Sequence, residues 1–218
     1  MTEVAVIAYG AGNVASVQFA LERLGATVRL TDDPAVITDA ERVILPGVGA
    51  AGYAMSRLSE LGLVEPIRAF PRPLLGGCLG QQLLFETSQE GEGVDLLGFI
   101  PGAVSRLEPA GGLPVPHMGW SRLTRDREDP LLEGVADGAY AYFVHGYVCP
   151  DGPATLARAD YGGPVPAIVR TANRWGCQFH PERSAEAGAT ILRNFLNLCP
   201  PPHRHSPTPR RGDRGPPR

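Results

Sequence analysis

Five consecutive residues, Gly76-Gly77-Cys78-Leu79-Gly80, constrain the fold of this chain more than any other stretch. They follow a short apolar run, 73–76, and lead into Leu79-Gly80-Gln81-Gln82-Leu83-Leu84-Phe85-Glu86, which reads as an amphipathic helix. A strand must therefore turn directly into a helix, with Cys78 alone on the corner. Glycines two before and two after the corner are what so tight a turn needs, because neighbouring backbones approach closely enough for a Cβ to clash. A thiol at a helix N-terminus is favoured as the thiolate, the form that attacks a carbonyl, so the corner is a candidate nucleophile. The alternative is a buried cysteine that packs as a small apolar side chain.

The residues before the corner alternate in the same way. An apolar run at 4–8 ends at Tyr9-Gly10, and Val17, Ala20, Leu21 and Leu24 then recur at helical spacing up to Gly25. A second β-like run at 28–30 gives way to Asp32-Asp33-Pro34 and a short helix, and 42–45 is strand again before Pro46-Gly47-Val48-Gly49. This β-α-β-α-β order predicts an α/β fold with a mostly parallel sheet flanked by helices. Sites in such folds lie beyond the carboxyl ends of the strands, where Gly10, Gly47 and Cys78 fall. Between 98 and 171 helical spacing disappears, and β-like runs at 100–106, 120–123, 139–144, 155–159 and 167–171 predict an inserted antiparallel β segment with long loops. The run 175–179 returns the chain to the sheet, and Ala189, Ile191, Leu192, Phe195 and Leu196 mark a closing helix. One domain over 1–199 is expected. The proline- and arginine-rich stretch 200–218 has almost nothing apolar to offset the entropy of ordering, so it reads as a disordered tail.

The net charge of −3 at pH 7 asks for neither nucleic acid nor an anionic membrane, and a small-molecule substrate is the natural expectation. Every basic side chain is arginine, which excludes Schiff-base chemistry and phosphate loops built on lysine. The four cysteines, Cys78, Cys149, Cys177 and Cys199, show no C-x-x-C pairing, as fits a reducing cytosol. No signal-peptide pattern and no apolar run of membrane-spanning length is present, so a soluble cytoplasmic protein is expected.

Cys78 needs a base, and His180 in Gln178-Phe179-His180-Pro181-Glu182 is the strongest candidate. Pro181 is expected to hold the run extended, so that His180 and Glu182 point the same way and the carboxylate orients the imidazole. A structural histidine near a strand end is the bland alternative. A competing motif, Gly10-Ala11-Gly12-Asn13-Val14-Ala15, fits G-x-G-x-x-G/A with Asp32 or Asp33 near the ribose position of a dinucleotide fold. That non-catalytic, nucleotide-binding reading leaves the corner cysteine and H-P-E without a purpose. Cys177 and His180 are spaced C-x-x-H with no second ligand pair, so no metal and no cofactor are expected.

Together these motifs resemble the class I, triad-type glutamine amidotransferases, whose signature is a G-x-C-x-G-x-Q elbow with a distant H-P-E. The resemblance covers about 4–198. Tyr9-Gly10-Ala11-Gly12-Asn13, Leu45-Pro46-Gly47-Val48-Gly49-Ala50, Pro116-His117-Met118-Gly119-Trp120 and Tyr142-Phe143-Val144-His145 make it most similar to the glutaminase subunits that serve a (β/α)8 cyclase in histidine biosynthesis. Glutaminase subunits of the anthranilate or aminodeoxychorismate type are the runner-up. The resemblance implies a flavodoxin-like domain that hydrolyses glutamine to glutamate and ammonia. The ammonia would pass to the cyclase, the other half of a heterodimer, which makes imidazole glycerol phosphate and an aminoimidazole carboxamide ribotide. It further implies Cys78, His180 and Glu182 as the catalytic triad and the amides of Leu79 and Val48 as the oxyanion hole. Gly47, Gly49, Gln82 and Glu90 would meet the substrate, and Asn13, Trp120, Tyr142 and Arg183 the cyclase. Ala8, Gly77, Gln81, Ser121, Gly146 and Arg183 depart from the family pattern, and none of them belongs to the triad.

Overall fold

The computed structural model describes residues 2–10 and 13–198, so the expected tail, 200–218, lies outside the described residues. The chain opens with β1 (Glu3–Ile7), α1 (Val14–Arg23), β2 (Thr27–Thr31), α2 (Pro34–Asp39) and β3 (Val43–Leu45). Asn13 and Asp33 start the two helices by accepting hydrogen bonds from the Ser16 and Ala35 amides. Asp33, a candidate ribose ligand in the dinucleotide reading, is thus a helix cap. Two helices that the sequence pattern does not announce follow, α3 (Ala51–Glu60) and α4 (Val64–Ala69). Then come β4 (Leu74–Gly77) and α5 (Leu79–Gln82).

The helix after the corner is a single turn rather than the long amphipathic element expected, and the chain is in strand again at β5 (Phe85–Ser88). An amphipathic helix keeps its polar stripe in water, whereas here Gln81 and Gln82 are buried with Leu79 and Gly80. Their amide nitrogens find acceptors inside the protein, Gln81 donating to the Pro166 carbonyl at 2.9 Å and Gln82 to that of Tyr147 at 3.1 Å.

The rest of the chain forms β6 (Val94–Asp95), β7 (Ile100–Arg106), β8 (His117–Arg122), β9 (Thr124–Arg125), β10 (Tyr140–His145), β11 (Tyr147–Val148), β12 (Thr155–Asp160), β13 (Pro164–Thr171), β14 (Arg174–Cys177) and α6 (Ala185–Asn197). The main sheet runs β2-β1-β3-β4-β14-β13-β12-β9. Its first five strands are parallel. Counted among themselves they have the 2-1-3-4-5 order of flavodoxin. The inserted β runs divide in three. β13, β12 and β9 widen the main sheet antiparallel, β8 pairs with β10, and β11-β7-β5-β6 form a small sheet.

Alternation along β1 sets the two layers of the core. Val4 and Val6 face α1 and α6, where Val17, Leu21, Leu192 and Phe195 are buried. Ala5 and Ile7 face Ile37, Ala54, Leu58 and Ile67 of α2, α3 and α4. Helix α6 lies directly on the H-P-E turn, since a Cβ on Gly188 would sit 1.9 Å from the Pro181 carbonyl oxygen. The Arg42 guanidinium fixes its far end by donating to the carbonyls of Phe195 at 3.2 Å and Leu198 at 2.6 Å.

Gly77 borders a partly open cleft that Val17, Ile44, Leu75 and Leu192 share with His180 and Glu182, and a Cβ built on it meets nothing within 4 Å. Glycine inside a strand is entropically costly, so Gly77→Ala is expected to raise stability by about 0.5–1 kcal/mol in urea denaturation. A loss of stability would show that the methyl group is not accommodated there.

Candidate active site

The carboxyl ends of β3, β4 and β14 converge, and the tightest point is the corner after β4. A Cβ on Gly80 would lie 1.9 Å from the Leu45 carbonyl oxygen, and one on Gly76 2.3 Å from that of Gly80. Only glycine fits at either position. Between them Cys78 adopts φ 50°, ψ −108°, a conformation that non-glycine residues hold only when their surroundings impose it. Its N–H donates to the Cys177 carbonyl at 2.7 Å, tying the corner to β14. The 46–49 loop sits on the same turn, because a Cβ on Gly47 would be 2.7 Å from the Gly80 nitrogen. The Tyr9 hydroxyl donates to the Pro46 carbonyl at 3.0 Å, and burial lifts its pKa well above the usual tyrosine range, so it stays a neutral donor.

His180 follows β14. The H-P-E run is not extended as expected: Pro181–Arg183 form a turn of 3-10 helix with proline at its first position, where its fixed φ is already helical. The turn still delivers the carboxylate, with Glu182 Oε1 2.9 Å from His180 Nδ1 and both side chains almost fully buried. Burial works against a charge on His180, but the Cys78 sulfur and the Glu182 carboxylate outweigh it and raise its pKa to about 10. Its Nε2 is buried with no acceptor at hydrogen-bond distance. The backbone of His180 is knitted to β10. Its N–H donates to the Tyr142 carbonyl at 3.0 Å, and the Ser184 hydroxyl bridges the His180 carbonyl at 2.7 Å and the Tyr142 amide at 2.9 Å.

An open cavity of about 370 Å³ lies over the corner, and Cys78, His180, Val48, Gly49, Leu79, Gln82 and Glu90 all line it. Two expected site residues stand back from the wall. Gly47 packs against Leu79 and Gly80, and Glu182 lies behind His180. Glu90 has a further task, accepting from the Ala51 amide at 2.6 Å and so capping α3. Gln82 directs its amide nitrogen inward to the Tyr147 carbonyl and to Gln178 Oε1, both at 3.1 Å. Only its Oε1 is left for a ligand, and it would accept from an ammonium group.

Beside the cavity the structure assembles groups to which sequence reading gave no role. His145, also in the cavity wall, pairs across the β8–β10 ribbon with His117. His145 Nδ1 is 2.8 Å from the Tyr147 carbonyl, which only accepts, so the proton is on Nδ1 and Nε2 accepts from His117 Nδ1 at 3.0 Å. His117 Nε2 then accepts from the Ser121 hydroxyl at 2.8 Å. Burial lowers the pKa of both imidazoles to about 4, helped by each one's neighbouring histidine, so both are neutral at physiological pH. The motifs Pro116-His117 and Val144-His145 are visible in the sequence, but their pairing is a matter of strand register.

Of the expected partner-facing residues, Trp120, Tyr142 and Arg183 form one cluster. The indole meets the phenol edge-on at 5.7 Å, and the guanidinium lies over the Tyr142 ring at 5.7 Å. Trp120 is 51% exposed. Asn13 is exposed at the start of α1 and shares a cleft wall with His180, Pro181 and Glu182. No helix among the described residues is long and apolar enough to cross a membrane.

Residues 5–199 match the family described as glutamine amidotransferase class-I. The chain is 55% identical over 201 residues to "Imidazole glycerol phosphate synthase subunit HisH" of Xanthomonas euvesicatoria pv. vesicatoria, covering 92% of this chain and 100% of that protein. The protein of the same description from Xylella fastidiosa strain Temecula1 is 55% identical over 198 residues, 91% and 98% of the two chains. Among solved structures, a glutamine amidotransferase superposes with TM-score 0.70 at 24% identity, over 89% of this chain and 97% of that one. A chain of PurLQS from Thermotoga maritima does so with TM-score 0.67 at 22% identity, over 90% and 98%. These two establish the likeness of fold.

Proposed function

The chain belongs to the class-I glutamine amidotransferase family, and on that premise we propose that it is the glutaminase subunit of an imidazole glycerol phosphate synthase. The observation that carries this reading is the 55% identity to two relatives of that description over nearly their whole length, with the strained Cys78 and the His180–Glu182 pair facing one cavity.

In this reading the raised pKa of His180 keeps the proton it shares with Cys78 on Nε2, and the Cys78 sulfur attacks the side-chain carboxamide carbon of glutamine. The developing oxyanion meets the amides of Leu79 and Val48, and Gly47 and Gly49 give the loop its freedom to present the latter. His180 then protonates the leaving nitrogen, so ammonia departs and a γ-glutamyl thioester remains. Water, deprotonated by the same imidazole, splits the thioester, releasing glutamate and returning the thiol. Glu182 holds the imidazole in the Nδ1–H tautomer throughout. Gln82 Oε1 accepts from the α-ammonium group, and Glu90 adds negative charge at that end. No cofactor takes part. The ammonia enters a (β/α)8 cyclase bound over Trp120, Tyr142, Arg183 and Asn13, the two chains forming a cytoplasmic heterodimer.

The test is glutamate release by the chain alone, with cyclase, and with cyclase plus its ribotide ligand. Val48 sits between two glycine-flanked peptides and is 39% exposed, so partner contact has a loop to act on. If the Val48 amide turns toward the oxyanion only in the liganded complex, the rate rises on the order of a hundredfold. Equal rates in all three would contradict the switch, and no glutamate in any would contradict the function.

A further inference from the structure

The strand end that carries the catalytic base begins with Gln178, which is fully buried and has no part in the steps above. Its amide is oriented by logic that leaves no ambiguity between oxygen and nitrogen. The Tyr147 carbonyl only accepts, so the group that Gln82 turns toward it is its NH2. That same nitrogen is 3.1 Å from Gln178, which must present its oxygen there. The Gln178 NH2 is thereby directed the other way, to the Cys78 sulfur at 3.9 Å.

We infer that the Gln178 amide is a hydrogen-bond donor to the Cys78 thiolate and a catalytic residue of the glutaminase reaction, aimed by Gln82. This rests on the proposed function only for the identity of the reaction. A second polar contact of the sulfur is the Val144 carbonyl at 3.7 Å, which accepts from the protonated thiol and offers nothing to the ionised one. The two contacts therefore serve opposite states: Val144 accepts from the protonated thiol, and Gln178 donates to the sulfur while the proton is on His180. The anchor is rigid, because the Tyr147 carbonyl that fixes Gln82 also accepts from His145, itself locked through His117 to Ser121.

The test uses the full-length chain and Gln178→Met, which keeps volume and removes the donor. Alkylation of Cys78 by iodoacetamide at fixed pH, followed on the Cys78 peptide by mass spectrometry, is expected to slow about tenfold, the low end for a hydrogen bond to a charged group. Glutamate release with the partner is expected to lose kcat by a similar factor with the KM for glutamine unchanged, since the face of Gln82 toward the substrate is intact. Should Gln178→Met not fold, Gln178→Asn withdraws the amide by one carbon and is read in the same two assays. Unchanged alkylation in a variant that melts with the parent overturns the inference, as does a loss carried wholly in KM. A parent chain that is alkylated normally yet never releases glutamate would count against the proposed function and leave the role of Gln178 to be decided by alkylation.

Discussion

Cys78→Ala is expected to lower glutamine-dependent synthesis by the complex on the order of 10⁴-fold or more, while synthesis from added ammonium stays at the parental rate. The size follows from removing a nucleophile outright, which leaves only binding and oxyanion contacts to assist water. The split between nitrogen sources follows from the role: the thiol is needed to release ammonia and for nothing after it. No neighbour stands in. Cys149 and Cys177 are buried, and burial pushes the Cys149 thiol up to about 12 and the Cys177 thiol higher still, so neither supplies a thiolate. Alanine keeps a Cβ at the corner, where a side chain is already carried at positive φ, so the fold is expected to survive. Glutamine-dependent turnover within tenfold of the parent would mean that another residue attacks.

The second large effect is on stability in acid. His117 and His145 each have a folded pKa near 4, against about 6.5 in an unfolded chain, so the unfolded state takes up protons first. Their contribution is complete above pH 6.5 and is lost as pH falls toward 4. One such group alone costs about 2.5 kcal/mol between pH 7 and pH 4.5, because each tenfold difference in proton affinity between the two states is worth about 1.4 kcal/mol. The two are hydrogen-bonded to each other and titrate as a pair, which sets the expected loss at about 2.5–5 kcal/mol. His180, which faces His145, moves oppositely, because its raised pKa makes it stabilising at low pH, but most of that contribution is already present at pH 7. Urea denaturation of the parent at the two pH values, beside His117→Phe, measures the effect. The phenyl ring preserves stacking on Phe143 and Tyr161, now 4.7 Å and 3.9 Å from the imidazole, while removing one titrating partner. A variant that loses as much stability in acid as the parent would assign the loss to other groups.

Much of this architecture was legible in the residues. The alternation of short apolar strands with helical spacing up to residue 45 reported a parallel sheet, because strands buried on both faces have no polar alternate positions. The corner at Cys78 was legible because its glycines obey a steric rule local to five residues. The one-turn α5 was not, since Gln81 and Gln82 look like a solvent face and become interior only once Pro166 and Tyr147 arrive from distant strands. Nor was the 3-10 turn at Pro181, where proline is equally at home in extended chain and in a first helical turn. The histidine pair and the Gln82–Gln178 relay depend on partners 28 and 96 residues apart, and periodicity carries no information at that range.

The crowding at the corner bears on how function is mapped by mutation. Gly76 and Gly80 touch no substrate in the proposed chemistry, yet each excludes even one methyl group. A survey scoring every substitution for loss of activity would rank them beside Cys78 and His180, and would draw the catalytic centre as a broad patch. Separating abundance from turnover in such a survey would divide it again, into positions that fail for want of room and positions that fail for want of a reacting atom.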